Sequence, residues 1–430
     1  MTGQTSLSRG ASMVWGAVLV LGQVVLGNSA PAEKPSNKHL ESFDVVWETV
    51  RDTHWDPELG GLDWDAVRAE LRPRAAQAGS AAEARRVMQE MLNRLGQSHF
   101  VIYPQGAYGA AAQTDGAGCH LVTEADTSCG FEVRVSEGRA VVTLVHADSP
   151  AGRAGVQTEW EVIRVGEYKP PEGWSQVGAV ASRLAGVKGS SVSVGFVTPV
   201  GEDVDVVLEL PQRRVRRYGF GHLPPLVVSV EYKLLEGNIG YITFNWFFDP
   251  ILVMPQFEAA MEAFSNADGI IIDIRRNGGG MSHMGTAMAG WFIDEEGRYF
   301  GKMYMRDAEM TNYVYPRART YDGPVAVLVD GGCGSAAEIF AAGMQDLGRA
   351  RVFGSRTMGG VLPVSLAVLP NGDRFQYAIA RYVSAGGAEL EGRGVIPDVK
   401  VRSGMRSSDP EHDPVMKAAV AWIRGQASGS

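Results

Sequence analysis

Val325-Ala-Val-Leu-Val-Asp-Gly-Gly-Cys-Gly-Ser335-Ala-Ala-Glu-Ile-Phe340 decides the reading of this chain. The run Val325 to Val329 is β-branched and apolar, which is the pattern of a buried strand. Gly331, Gly332 and Gly334 then allow a tight backbone path. A helical pattern follows, with Ile339, Phe340 and Met344 on one face. Ser335 therefore stands at a helix N-terminus, where free N–H groups and the positive end of the helix dipole converge. An alkoxide or a tetrahedral oxyanion is stabilised at such a place. Serine also favours the N-cap for purely structural reasons, so this motif alone does not separate a nucleophile from a cap.

A second stretch, Gly269-Ile-Ile-Ile-Asp-Ile-Arg-Arg-Asn277-Gly278-Gly279-Gly280, is another buried strand running into a glycine turn. Successive glycines present backbone N–H groups without Cβ obstruction. The N–H groups of Gly279 and Ala336 are the expected pair of oxyanion donors, each such donor being worth about 3 kcal/mol. One glycine run is ordinarily just a loop. Two strand–glycine turns in one domain, one of them carrying a serine, point to acyl transfer.

Together the two motifs resemble the C-terminal processing (tail-specific) serine protease family, and the resemblance extends from Leu40 to Val401. Val352-Phe-Gly-Ser-Arg-Thr-Met-Gly-Gly360 and Glu391-Gly-Arg-Gly-Val-Ile-Pro-Asp398 also fit. The family implies an α/β fold: a ClpP/crotonase-like catalytic core with a PDZ-like β domain and an N-terminal helical domain. The better-known branch uses a Ser–Lys dyad, with the lysine just after a Thr-x-Gly segment. Here Gly360 holds that position. Arg356 cannot replace it, because a guanidinium stays protonated, and the first lysine after Ser335 is Lys400.

The resemblance supplies another base. Met88-Gln-Glu-Met-Leu-Asn-Arg-Leu-Gly-Gln-Ser98-His99-Phe100 reads as an amphipathic helix ending at Gly96, followed by a loop. It looks like the Gly-x-Ser-His segment of the tricorn-like branch, whose site also takes a glutamate near the end of the core. Glu391 falls at the matching place. Imidazole accepts a proton at neutral pH, and a carboxylate acting through Ser98 can fix its tautomer. Taken singly, His99 reads as a loop histidine, Ser98 as a helix-end hydrogen-bonder and Glu391 as a turn carboxylate. His283 competes for the base and Glu389 for the acid.

The 430 residues are 45% hydrophobic and 21% charged, with a net charge of −9, which argues against a nucleic-acid surface. Residues 1–32 read as a signal peptide: Arg9 precedes an apolar stretch from Met13 to Gly27, and Ala30-Pro-Ala32 offers a cleavage site. The expected location is periplasmic or extracellular, with an uncleaved membrane anchor as the alternative. A linker at 33–39 leads to a helical domain at 40–105, whose stripes Phe43, Val46, Trp47, Val50, then Val87, Met91, Leu92, Leu95, mark a core face. His54-Trp55-Asp56-Pro57 breaks the first helix.

Residues 118–212 resemble a PDZ domain through Gly130-Phe-Glu-Val133 and Asp148-Ser-Pro-Ala-Gly-Arg-Ala-Gly155, although Trp160 stands where that family has glycine. Such a groove captures a peptide by strand addition. The core is expected at 225–405, with helices at Pro255–Phe264 and Ser335–Leu347, and a tail with a short helix at 406–430. Cys119 and Cys129 can pair in an oxidising compartment; with His120 they make a poor zinc set, for want of a fourth ligand. Cys333 reads as a packed residue. No cofactor or metal is expected, and the expected partner is a protein or peptide substrate. The main alternative is a non-catalytic peptide- or hydrophobic-ligand-binding protein on the same fold; acyl-CoA chemistry is disfavoured by the export signal.

Overall fold

The computed structural model describes residues 37–105, 119–125, 129–136, 139–145, 149–169, 191–210, 214–220, 226–401 and 413–427. The expected signal peptide lies outside these residues, as do most of the linker and the side chain of Cys119.

The chain begins with α1 (Lys38–Thr53), α2 (Trp64–Ala76) and α3 (Ala81–Asn93), followed by a short strand, β1 (Val101–Tyr103). Asp63 caps α2 by accepting the Ala66 N–H, and Ser80 caps α3 by accepting that of Glu83. The indoles of Trp47 and Trp64 lock α1 to α2 reciprocally, each N–H donating to the other's carbonyl, at 2.9 and 3.0 Å. The apolar stripes close on one another as their spacing requires. The same cluster also takes in Leu362, Leu369, Phe375 and Ala378, far along the chain.

The middle of the chain is β-rich: β2 (Cys119–Ala125), β3 (Phe131–Ser136), β4 (Arg139–Val145), a single helical turn α4 (Pro150–Arg153), β5 (Glu161–Val165), β6 (Ser191–Val197), β7 (Asp203–Glu209) and β8 (Arg214–Phe220). Strands β3-β4-β5-β6-β7 form an antiparallel sheet in that order, and β2 pairs with β8. The sheet packs Val142, Val162, Val194, Phe196 and Leu208 against α4 and the Cys129 segment. Gly130 has a positive φ of 78°, and a Cβ there would fall 1.9 Å from that of Ser149, so only glycine fits that turn.

The remaining elements are β9 (Val230–Leu235), β10 (Ile239–Phe244), α5 (Pro250–Ala263), β11 (Gly269–Asp273), α6 (Ser282–Ala289), β12 (Arg298–Met305), β13 (Glu309–Val314), β14 (Val325–Val329), α7 (Ala336–Asp346), β15 (Arg351–Gly354), β16 (Val364–Val368), β17 (Arg374–Ala378), β18 (Ala380–Ser384), β19 (Val399–Lys400) and α8 (Pro414–Ala427). A six-stranded sheet runs β19-β15-β14-β11-β10-β9, parallel except for β9. Every residue of β11 and β14 is buried, which is why both read as unbroken apolar runs rather than alternating ones. Helices α5, α6 and α7 cover one face and α8 the other.

Beneath the sheet a buried ion cluster ties α8 to the end of β11. Arg275 donates to Asp273 at 2.9 and 2.7 Å and to Asp413 at 3.0 Å, and Asp413 caps α8 through the N–H groups of Val415 and Met416. All three charged side chains are at most 5% exposed.

Two features differ from expectation. Helix α5 starts at Pro250 rather than Pro255, because Asp249 accepts the Leu252 N–H as N-cap and proline at the first position needs no donor. The helical segment and the α/β core also share a sheet: β1 pairs antiparallel with β17, which pairs with β16. That junction carries the loop after α3 to the core.

Candidate active site

Because β11 and β14 are adjacent and parallel, their carboxyl ends deliver both glycine turns to one point, the usual ligand end of an α/β sheet. Side chains then weld the turns together. Asp330 Oδ1 accepts the N–H groups of Arg276 and Gly332 at 2.9 and 2.8 Å. The Cys333 thiol donates to Ile274 O at 3.0 Å, and Gly334 N–H donates to Asn277 O at 3.0 Å. Cys333 is fully buried and burial raises its thiol pKa, so it packs as a neutral thiol.

Ser335 caps α7 with a left-handed φ of 52°, a conformation that costs about 1–3 kcal/mol and must be held from outside. Its N–H is shared between Gly360 O, at 2.7 Å, and Glu338 Oε2, at 3.1 Å. The Glu338 N–H goes to the Ser335 backbone carbonyl at 2.9 Å, and the Glu338 carboxylate reaches back to the Ser335 N–H as in a capping box. As the first residue of α7, Ala336 has an N–H that the helix itself does not satisfy. Gly279 lies directly opposite. A Cβ there would meet Gly334 O at 2.6 Å, Ser335 Cβ at 2.7 Å and Ala336 N at 2.9 Å. The Gly279 N–H, however, is taken by Asn277 Oδ1 at 2.9 Å. The glycine is where an oxyanion donor belongs, but its donor is already engaged.

Glu338 organises the far side of the Ser335 turn. Fully buried, it accepts from Gly359 N–H at 2.8 Å, Gly360 N–H at 2.9 Å and the Thr357 hydroxyl, besides Ser335 N–H. Burial pushes its carboxyl up, and these four donors offset part of that cost. The strap Thr357–Gly360 is thereby laid along Cys333–Ser335, with Met358 N–H donating to Cys333 O at 3.0 Å.

On the other side of the strap lies the loop after α3. Glu391 accepts from Ser98 N–H at 2.8 Å and Val361 N–H at 3.0 Å, and from the Ser98 hydroxyl at 3.0 Å. Ser98 Oγ is 2.6 Å from His99 Nδ1. Since the carboxylate can only accept, the serine hydroxyl donates to it and receives the Nδ1 proton. That leaves His99 Nε2 with its lone pair, the form a general base needs. Burial lowers the His99 pKa from the ordinary imidazole value, and the Glu391 charge raises it in part.

Gly360 joins the two halves. Its carbonyl holds Ser335 N–H, and an ideal Cβ on it would lie 3.4 Å from both His99 Cε1 and Ser98 Oγ. The missing side chain leaves the space that the imidazole fills. The rivals stand apart from this cluster. His283 is exposed on α6, Glu389 is exposed and paired with Arg381, and Lys400 is exposed on β19 beside Gly354. Arg356 is exposed and donates to Gly392 O at 2.6 Å. Sequence reasoning misses Glu338, Thr357 and Asn277. Of these only Glu338 carries a signal, as the fourth residue of a Ser-x-x-Glu capping pattern.

Residues 238–401 match the model of peptidase family S41, and residues 35–93 that of the tricorn protease C1 domain. The α/β domain is similar to peptidase family S41. The chain is a serine-type peptidase. It is 27% identical over 381 residues to carboxyl-terminal-processing peptidase 3, chloroplastic, of Arabidopsis thaliana, covering 84% of this chain and 69% of that protein. It is 26% identical over 281 residues to a probable CtpA-like serine protease of Staphylococcus haemolyticus, covering 64% of this chain and spanning about half, 52%, of that relative. The fold is similar to that of a photosystem II D1 C-terminal processing protease, with a TM-score of 0.57, 21% identity, and coverage of 89% of this chain and 97% of that one. Among the described residues of this peptidase, no group of three or more His, Cys, Asp or Glu is placed to hold a metal, and no helix is long and apolar enough to cross a membrane.

Proposed function

We propose that Ser335, His99, Ser98 and Glu391 form the catalytic relay of an endopeptidase that hydrolyses unfolded or C-terminally recognised protein chains through an acyl-enzyme. One observation carries this reading: the hydrogen-bonded chain Glu391–Ser98–His99 abuts Gly360, whose carbonyl holds the Ser335 N–H.

The steps follow from the donor and acceptor roles. Ser335 Oγ attacks the scissile carbonyl carbon and passes its proton to His99 Nε2. The imidazolium is stabilised by its Nδ1–H donating to Ser98 Oγ, whose own O–H donates to Glu391. The oxyanion is received by the Ala336 N–H and by the glycine turn. Gly279 serves as the second donor once Asn277 Oδ1 yields its N–H. His99 then protonates the leaving amine; a water attacks the acyl-enzyme as His99 takes its proton, and His99 returns that proton to Ser335 Oγ as the acid leaves. The β-rich module at 119–220 takes the role of peptide reader, binding substrate by strand addition. Export follows from the apolar stretch between Met13 and Gly27, with an uncleaved anchor as the alternative form.

Ser335→Ala tests the reading. The variant is expected to fold normally and to lose several orders of magnitude in the rate of casein hydrolysis. A serine-directed phosphonate should label Ser335 in the parent protein. Undiminished cleavage by the alanine variant would leave Ser335 as a cap and nothing more.

A further inference from the structure

The dipeptide Ser98-His99 is flanked by Gln97 and Phe100, and both flanking residues are held by one side chain far back in the sequence. His54 follows α1 and is 0% exposed. Its Nε2–H donates to Gln97 Oε1 at 2.9 Å. Its Nδ1 is enclosed by the backbone of Asp56, 3.0 Å from the nitrogen and 2.8 Å from the oxygen. Its ring lies nearly parallel to that of Phe100, with centroids 5.9 Å apart and planes 13° from parallel, and Trp55 stacks on it at 5.1 Å.

Such a grip has work to do. His99 has a φ of 65°, left-handed for a non-glycine residue, and that costs about 1–3 kcal/mol unless the surroundings impose it. Glu391 fixes Ser98 from the core side, and Gln376 and Gln89 donate to the His99 and Phe100 carbonyls at 3.4 and 2.9 Å, but none of these three reaches Gln97, where the segment enters. We infer that His54 is a positioning residue for the general base: by bonding Gln97 and stacking on Phe100 it clamps both ends of the four-residue segment and holds His99 in the strained conformation that faces Gly360 and Ser335. His54 touches no reacting atom. The inference rests on the reading of His99 as base.

The test compares His54→Phe, which keeps a stacking ring and loses the bond to Gln97, with Gln97→Ala, which removes the same bond from the half-buried end. Cleavage kinetics on casein are read together with thermal unfolding. Both variants are expected to keep a cooperative transition and a KM within about 2-fold of the parent, while kcat falls about 10–100-fold, the usual effect of a small misplacement of a catalytic group. The double variant should lose no more than about 2-fold beyond the worse single one, because the two changes remove one interaction. Losses in kcat below about 3-fold, or single losses that multiply in the double variant, would overturn the clamp. Failure of the underlying reading shows differently: an active His99→Ala protein removes the base itself, whereas an inert His99→Ala beside a fully active His54→Phe removes only the clamp.

Discussion

Glu391→Gln changes one atom of the relay, and the hydrogen bonds around that atom dictate the outcome. Oε1 accepts the Ser98 N–H, while Oε2 accepts both the Val361 N–H and the Ser98 hydroxyl. A carboxamide keeps one acceptor. If its NH2 takes the Oε2 place, it faces the Val361 N–H and turns the Ser98 hydroxyl round to accept. Ser98 then donates to His99 Nδ1, and the imidazole is left with its proton on Nε2, unable to take one from Ser335. Fixing the wrong tautomer in this way costs about 10⁴-fold in kcat. If the NH2 takes the Oε1 place instead, it opposes the Ser98 N–H and displaces the loop, at about 10²-fold. Either way one N–H loses its acceptor, destabilising the fold by about 1–3 kcal/mol.

The expected result is therefore a kcat lower by about 10²–10⁴-fold with a modest drop in unfolding free energy, measured by casein cleavage and urea denaturation. Glu389→Gln, at an exposed ion pair, is the control and should change stability by less than about 1 kcal/mol. If Glu391→Gln loses the stability but keeps more than about a tenth of kcat, the carboxylate only braces the loop and the tautomer argument fails.

Three further outcomes are expected. Burial holds the His99 pKa below the usual value, and the base works unprotonated, so the acid limb of kcat/KM and of phosphonate labelling should lie below about pH 6.5; a limb above pH 7 would point to another base. Gly360→Ala should fold and retain activity, since a methyl at 3.4 Å is an ordinary contact, whereas Gly360→Leu should displace the imidazole and cost more than about 100-fold in kcat; equal activities would mean that the space is not used. Asp413→Ala removes one of the two carboxylates bonded to Arg275 and uncaps α8, so urea unfolding should show a loss of about 3–5 kcal/mol, and a loss under about 1 kcal/mol would show the cluster to be well hydrated.

The two glycine turns are legible in the sequence because parallel strands buried on both faces are written as unbroken apolar runs, and Val325–Val329 and Gly269–Asp273 are such runs. The candidate site is legible only in pieces. Nothing local distinguishes Glu391 from Glu389; the difference is made by Ser98 and Val361, which approach from other parts of the chain. The shared core of the helical segment is hidden for the same reason. Leu362, Leu369, Phe375 and Ala378 carry no mark that they pack on α1–α3 rather than on their own sheet. His54 reads as part of a helix-breaking turn, which it is, but its partners lie some forty residues on, at Gln97 and Phe100. Gly279 and Ala336 can be named from the sequence as backbone positions, while the capture of Gly279 N–H by Asn277 depends on a side-chain rotamer that no spacing encodes.

A peptidase in solution meets other copies of itself, and any stretch that can be drawn out straight is a meal. Residues 414–427 avoid that fate by their wiring. Val415, Met416, Ala419 and Ile423 are sunk against the sheet, and the first turn of the helix is fastened by Asp413 to Arg275. To release this segment, a molecule must first break the buried bonds between Arg275 and Asp413 beneath its own sheet. The last helix is thus held by the same charges that close the end of β11, and it comes free only when that cluster opens.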